Sequence, residues 1–541
     1  MSAVSIHGVQ LIVLLLLLFV AAFSALAHRF KTPYPIVLVI AGVMLGFVPG
    51  IPRITLEPDL IFLVVLPPLL YAAAAVTSWR DFSYNFVSVG MLAFGLVGFT
   101  VVSVALAGPL LISGLDWRVG CVLGAAVCTT DAIAATSIAK RIGLPKRIVD
   151  LLEGESLLND ATGLLALEFA TMMVVDHQTP TVVSGILRLS YLSFAGVAIG
   201  LILARIVEWV EHRIDDGPIE IALSILVSYS AYLTAEAVHA SGVLAVVAAG
   251  LYLGRKSSKF LSPAVRLQSR AVWDLMTFIL NGFVLILIGL QLPSVLAGVS
   301  GVTTWHLILY GILFSVFLVL LRILWTFPGA YVAYLIRTRL LRQDEKRPEV
   351  GQIFVVGWTG MRGVIALAAA ISLPDTIGNG SPFPDRDLII FLTFCVILVT
   401  LVFQGLTLPP LVRLLGLAEN PAAKQEAQKA RRLVLESALT RLEDLRLNDP
   451  SGSVDLYDDL AQHYKHRLAS IGEASHEQDK TDAEQHFRYL ELSRRMLAVE
   501  RHAALRMRDE GRIADEALRE LEHELDLSEA RLAAAISHQI T

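Results

Sequence analysis

The sequence predicts an all-α polytopic membrane protein: thirteen transmembrane helices, arranged as two inverted six-helix repeats with crossed broken helices, followed by a helical tail. Three observations carry that prediction. Hydrophobic residues fill 55% of the 541 positions and charged residues only 17%, far from the balance of a soluble chain. Apolar runs of roughly 17 to 30 residues, long enough to cross a hydrocarbon core, occupy positions 8–416. From 417 onward the chain is densely charged and has no such run. The expected division is a membrane region at 1–416 and a soluble tail at 417–541.

Apolar segments bounded by charged or Gly/Pro-containing turns place the spans at 8–28, 34–50, 59–77, 84–113, 118–140, 148–176, 182–210, 218–237, 241–254, 266–296, 303–336, 351–373 and 386–416. The first is a retained helix rather than a secretory signal, because no Lys or Arg precedes Val9 whereas Arg29 and Lys31 follow directly. Basic residues alternate between the loops. One set holds 19 of them, from Arg29 and Lys31 to Lys346 and Arg347, and the other only Arg53, Arg118, Arg188 and Arg386. The positive-inside rule then puts the N-terminus outside and the tail in the cytoplasm of a cell bounded by this plasma membrane, which an odd number of spans requires.

The net charge of −5 averages over two unlike regions and gives nucleic acid no purchase as a partner. Cys121, Cys128 and Cys395 all sit in apolar segments and read as packing residues, not as a disulfide framework or thiolate metal site. In the tail, apolar residues at helical period, such as Leu518, Leu521, Leu525 and Leu527 within Ile513 to Ile540, are separated by the breakers Asn448, Asp449, Pro450 and Gly452. A small set of cytoplasmic helices with a solvated charged face is expected there.

Ionisable groups inside a span are costly, so each is a functional candidate that needs a partner. Asp131, Glu155, Asp160, Glu168, Arg322 and Arg362 are the six. At 100° per residue, Ser156 stacks under Asp160 and Glu155 under Asn159, so one helix surface carries oxygen ligands. A small hard cation takes several oxygens; the Asp160 carboxylate, the Ser156 hydroxyl and a backbone carbonyl from another segment supply some, and water the rest. A carboxylate desolvated at the midplane also accepts a proton, and cation and proton then compete for one site. That competition is itself a mechanism of exchange, with Asp160 holding the monovalent cation and no cofactor needed.

Two spans are interrupted by polar or glycine-rich stretches: Cys128-Thr129-Thr130-Asp131-Ala132 in the fifth and Gly357-Trp358-Thr359-Gly360-Met361-Arg362-Gly363 in the twelfth. With spans 1–6 and 8–13 as inverted repeats, these interruptions fall on equivalent helices. Crossed broken helices bring half-helix N-termini together and, separately, C-termini, leaving partial charge of each sign in low dielectric. Asp131 offsets the first and Arg362 the second. Glu155 still needs a cation, and Arg322 on the eleventh span is the expected partner, with Arg362 as the alternative; a stable buried pair is structural, since it cannot also cycle ions. Glu168, two turns beyond Asp160, reads as a hydrogen-bonded or interface residue or as an ion-entry group, and His239 as a turn histidine.

Thr130-Asp131, then Glu153-Gly154-Glu155-Ser156-Leu157-Leu158-Asn159-Asp160, then Met361-Arg362-Gly363, together with Pro67-Pro68 and His239-Ala240-Ser241-Gly242-Val243-Leu244-Ala245, resemble the sodium/proton exchanger family in order and spacing over the whole membrane region. The resemblance implies a homodimer in which a six-helix core moves elevator-fashion against a dimerisation domain, with the ion bound where spans 5 and 12 cross. It implies electroneutral exchange, because Asn159 stands beside Asp160 where electrogenic relatives carry two acids. It also places Thr130 and Ser156 near the ion at Asp160, or Thr129 through its carbonyl. Where many relatives have an acid a turn after the double proline, this chain has Leu69, Leu70, Tyr71, Ala72 and Ala73. That departure bears on coordination and on Na⁺ against K⁺ or Li⁺ selectivity.

Other classes fit less well. An intramembrane aspartyl protease needs a dyad, and Asp131 and Asp160 are two aspartates, but Asn159, Ser156 and the paired interruptions suit ion ligation better. A sensor would need an output module, and 417–541 holds no kinase, cyclase or nucleotide motif. A channel is the nearest alternative in chemistry.

Overall fold

The computed structural model describes residues 6–49, 57–112, 114–175, 181–214, 216–299, 303–343, 347–377, 380–417, 421–448, 454–469, 477–510, 512 and 515–540. Arg53, Lys346, Asp449, Pro450, Gly452 and Ile513, used in the sequence reading, lie outside them. The described chain is helical, and it divides into two units at Glu419 and Asn420.

In the first unit the helices are α1 (Ile6–Arg29), α2 (Tyr34–Gly46), α3 (Pro58–Val76), α4 (Trp79–Leu111), α5 (Trp117–Ala126), α6 (Ala132–Ile142), α7 (Lys146–Val175), α8 (Val182–Glu211), α9 (Gly217–Ala237), α10 (Gly242–Phe260), α11 (Pro263–Leu290), α12 (Thr304–Leu335), α13 (Val350–Trp358), α14 (Val364–Ile371) and α15 (Arg386–Leu414). Among the described residues nine helices are long and apolar enough to cross a membrane: α1, α3, α4, α7, α8, α9, α11, α12 and α15. The protein is therefore a multi-pass membrane protein. Many of their large apolar side chains face outward, as at Leu14, Leu106, Phe194 and Leu320, where a lipid-facing surface needs them.

Starts follow local chemistry. Ser78, Thr181, Ser241 and Ser262 each accept a hydrogen bond from a backbone amide of the first turn of α4, α8, α10 and α11. Single π-turns interrupt α3, α4 and α15, at 61–65, 91–96 and 400–404. The ninth expected span, 241–254, ends too early. The helix runs on to Phe260 because the polar residues after Gly254 have partners within the protein: Lys256 Nζ binds Glu208 Oε1 of α8 at 2.7 Å.

Where two helices pass closest, side chains are absent. A Cβ on Gly42 of α2 would strike the Ile286 carbonyl and Gly289 of α11, and one on Gly289 would strike the α2 backbone. Lipid tails are as apolar as Leu, so such contacts stabilise by dispersion between backbones rather than by removal of water. Two apolar clusters result. One gathers α1, α2, α5, α6 and α11–α15, the other α8–α10, and α3, α4 and α7 contribute to both.

The second unit holds α16 (Pro421–Asn448), α17 (Val454–Ala469), α18 (Glu477–Asp509) and α19 (Asp515–Ile540). Leu435, Leu490, Ala504 and Leu518 are its buried apolar residues among those described, while Leu521 and Leu527 are exposed. Arg501 of α18 joins α19 through Asp526 at 2.5 Å and Glu529 at 3.0 Å.

Candidate ion-binding site

The site begins with two failures of helix. α5 stops at Ala126 and the chain resumes helix at Ala132; α13 stops at Trp358 and resumes at Val364. Neither interrupted stretch can satisfy its backbone within a helix, so each must find partners elsewhere. They find each other. The Asp131 amide donates to the Met361 carbonyl at 2.8 Å, which fixes the crossing. Arg362 spans the same junction: its Nε donates to the Val127 carbonyl at 3.1 Å, its Nη1 donates to the Gly360 carbonyl, and its own amide donates to Thr400 Oγ1 at 3.1 Å. Val127 and Gly360 follow the C-terminal ends of α5 and α13, where unpaired carbonyls concentrate partial negative charge. Asp131 immediately precedes the N-terminus of α6, and a Cβ on Gly363, which precedes α14, would meet the Asp131 side chain.

α7 passes this crossing and presents Glu155, Asn159 and Asp160, all 2% exposed or less. Glu155 is gripped by two nitrogens of Arg322, Nη1 on Oε1 at 2.5 Å and Nη2 on Oε2 at 2.8 Å; Nη2 also donates to the Val356 carbonyl at 3.2 Å. Arg322 needs the space that Gly360 leaves, since a Cβ there would run into its guanidinium. Thr130 links the pair to the centre: its hydroxyl donates to Glu155 Oε1 at 3.1 Å and accepts from Asn159 Nδ2 at 2.6 Å. Asn159 is thereby oriented, with its Oδ1 left without a partner among the described residues.

Asp160 differs from every other buried acid in this network. Its Oδ1 is buried with no hydrogen-bond partner among the described residues, and the residue lines a cavity of about 510 Å³ together with Thr129, Thr130, Asp131 and Ser156. A buried carboxylate in that position is stable only when a cation or a proton neutralises it. The cavity also reaches Leu69–Ala73 after the double proline, a wall with no carboxylate, and extends to Glu211, Glu220 and Arg266 near the ends of α8, α9 and α11. A second cavity of about 490 Å³ lies around Asp59, Glu168, Arg188, Glu236 and His239. There Arg188 Nη2 binds Glu168 Oε1 at 3.3 Å.

Sequence reasoning missed Thr400, Glu211 and Glu220. Thr400 carries no charge to draw attention within an apolar run, and the two glutamates sit at the margins of expected spans, where charges usually face water.

Comparison with known proteins agrees with this architecture. The family model "Sodium/hydrogen exchanger, transmembrane" matches residues 14–414. The chain is 32% identical over 523 residues to an uncharacterized Na(+)/H(+) exchanger of Mycobacterium bovis, covering 94% of this chain and 93% of that protein. It is 31% identical to the sodium, potassium, lithium and rubidium/H(+) antiporter of Bacillus pumilus, covering 84% and 69% respectively, and 31% identical to the Na(+)/H(+) antiporter ApNhaP of Aphanothece halophytica, covering 80% of each. These relatives are transporters, not enzymes. In fold it is similar to the sodium proton antiporter MjNhaP1 of Methanocaldococcus jannaschii, with a TM-score of 0.61 at 20% identity over 77% of this chain and all of that one. On the extent of the family match and of the relatives' coverage, the chain belongs to the sodium/hydrogen exchanger family.

Proposed function

We propose that this chain is an electroneutral antiporter that exchanges one monovalent cation, Na⁺ foremost, for one proton, with Asp160 as the shared site. The observation that carries the reading is the buried Asp160 oxygen, without a partner among the described residues, on a residue that lines a cavity. With Asn159 uncharged and Glu155 committed to Arg322, Asp160 is the carboxylate of these three α7 residues left to cycle. One carboxylate carries one cation or one proton, so a full cycle moves no net charge. Ser156, Thr130 and the Thr129 carbonyl complete the ligand set with water, while Asp131 and Arg362 offset the helix-end charges and Glu155–Arg322 holds α7 to α12.

The thirteen-span, inverted-repeat arrangement has support from the presence of two helix breaks, at 127–131 and 359–363. The reading includes an elevator-type motion of a homodimer in the plasma membrane, with the N-terminus outside, the 420–541 unit in the cytoplasm and a part in pH homeostasis. K⁺ as a further substrate is favoured by one observation: the Leu69–Ala73 wall supplies no acid to tighten the shell around a small ion.

The test is proton flux in inside-out vesicles with an imposed pH gradient, comparing Na⁺, Li⁺ and K⁺. Wild-type protein dissipates the gradient only when cation is added, and Asp160→Asn abolishes the response. Wild-type rates in Asp160→Asn would overturn the reading.

A further inference from the structure

Glu211 closes α8 and Glu220 lies in the first turn of α9, and both line the cavity that contains Asp160. They are 5% and 4% exposed. Glu211 Oε2 is buried and has no partner among the described residues. An ionised carboxylate in that situation is expensive unless something neutralises it, and four of the cations around it have other partners. Lys256 is held by Glu208 Oε1 at 2.7 Å, one turn before Glu211. Arg205 donates to the Tyr252 hydroxyl at 3.0 Å, and Arg213 to the Trp209 carbonyl at 2.7 Å. Arg266, which also lines the cavity, donates to the Ser258 carbonyl at 3.4 Å.

Two features beside Glu211 favour a cation. Glu211 stands at a helix C-terminus, where the last carbonyls carry partial negative charge. The Ser257 hydroxyl of α10, facing the same cavity, gives its proton to the Gly254 carbonyl at 2.9 Å, which leaves its lone pairs for a ligand. We propose that Glu211 and Glu220 form a second binding site, for a hard monovalent cation, in the cavity that serves Asp160. Its occupant is held by carboxylate and hydroxyl oxygens and water, independently of Asp160. The site keeps a cation in the cavity while Asp160 carries its proton. That the occupant is the transported ion rests on the exchange reading; the binding itself does not.

Equilibrium binding of ²²Na⁺ to purified full-length protein tests this. Asp160→Asn retains one saturable equivalent of Na⁺, and adding Glu211→Gln and Glu220→Gln weakens that binding at least about tenfold. Size-exclusion elution and the unfolding temperature without Na⁺ show that the triple variant is folded; should it not be, Asp160→Asn with Glu211→Gln alone is the comparison, and the same loss is expected. No Na⁺ bound by Asp160→Asn, or unaltered affinity after the glutamate substitutions, overturns the proposal. The two readings fail separately. Absent exchange in wild-type vesicles with binding retained in Asp160→Asn sinks the exchange reading alone, and normal exchange with no such binding sinks the second site alone.

Discussion

At the scale of single residues, burial separates groups that look alike in sequence. Glu155 and Asp160 lie five positions apart on α7 and are both almost fully hidden, but among the described residues only Glu155 has a counter-ion. Glu155→Gln should therefore act on folding, because it leaves the Arg322 charge buried and unpaired. A loss of about 3–5 kcal/mol is expected, measured by thermal unfolding in detergent. Replacing both partners with apolar residues of similar volume should recover a large part of that loss. Asp160→Asn should leave the unfolding temperature near or above that of the wild type while transport disappears. A variant pair in which stability and transport fell together would contradict this division of labour. The residue types of this centre were legible in the sequence, since charge inside an apolar run stands out. The Thr130 bridge was not, because a threonine's partners depend on which segments the fold brings beside it.

At the scale of elements, the interruptions matter more than the helices. The chain advertises them by placing Thr-Thr-Asp and Thr-Gly-Met-Arg-Gly where a continuous span would be apolar. Their crossing was expected, but not the main-chain bond that joins them across 230 positions (361 less 131). The glycines beside the crossing make room for charged side chains. A Gly363→Ala variant should fold and insert, but its methyl would displace Asp131; exchange should fall by up to about a hundredfold, given how steeply catalysis responds to an ångström of misplacement. Initial rates at saturating cation check this, and unaltered rates would show that Asp131 tolerates displacement. The extension of α10 past Gly254 was hidden for the opposite reason. Polar residues that end a span in a hydropathy reading continue the helix once Glu208 receives Lys256.

At the scale of the molecule, the chain divides at Glu419 and Asn420 into a unit with the candidate ion site and a unit of charged helices. Protein ending at residue 419 should keep cation-dependent proton flux with a cation KM within about twofold of the full chain, the residual difference reporting any regulatory contribution of α16–α19. Loss of all flux in a folded truncated protein would assign the tail a direct part in transport. One-for-one exchange also makes a prediction about energetics. Moving one net charge through 100 mV involves about 2.3 kcal/mol, so a cycle that moves none should run at the same rate with and without a valinomycin-imposed potential. A potential-dependent rate would mean that a second charge crosses with each turnover.

The bond between the Asp131 amide and the Met361 carbonyl joins main chains, and of the side-chain replacements at either position only proline at 131, which has no amide hydrogen, deletes it. The interrupted helices are thus fastened at their breaks by a rivet that substitutions other than proline leave in place. In the proposed exchange cycle, a displacement that opens the site to the far side of the membrane would carry both interrupted segments together.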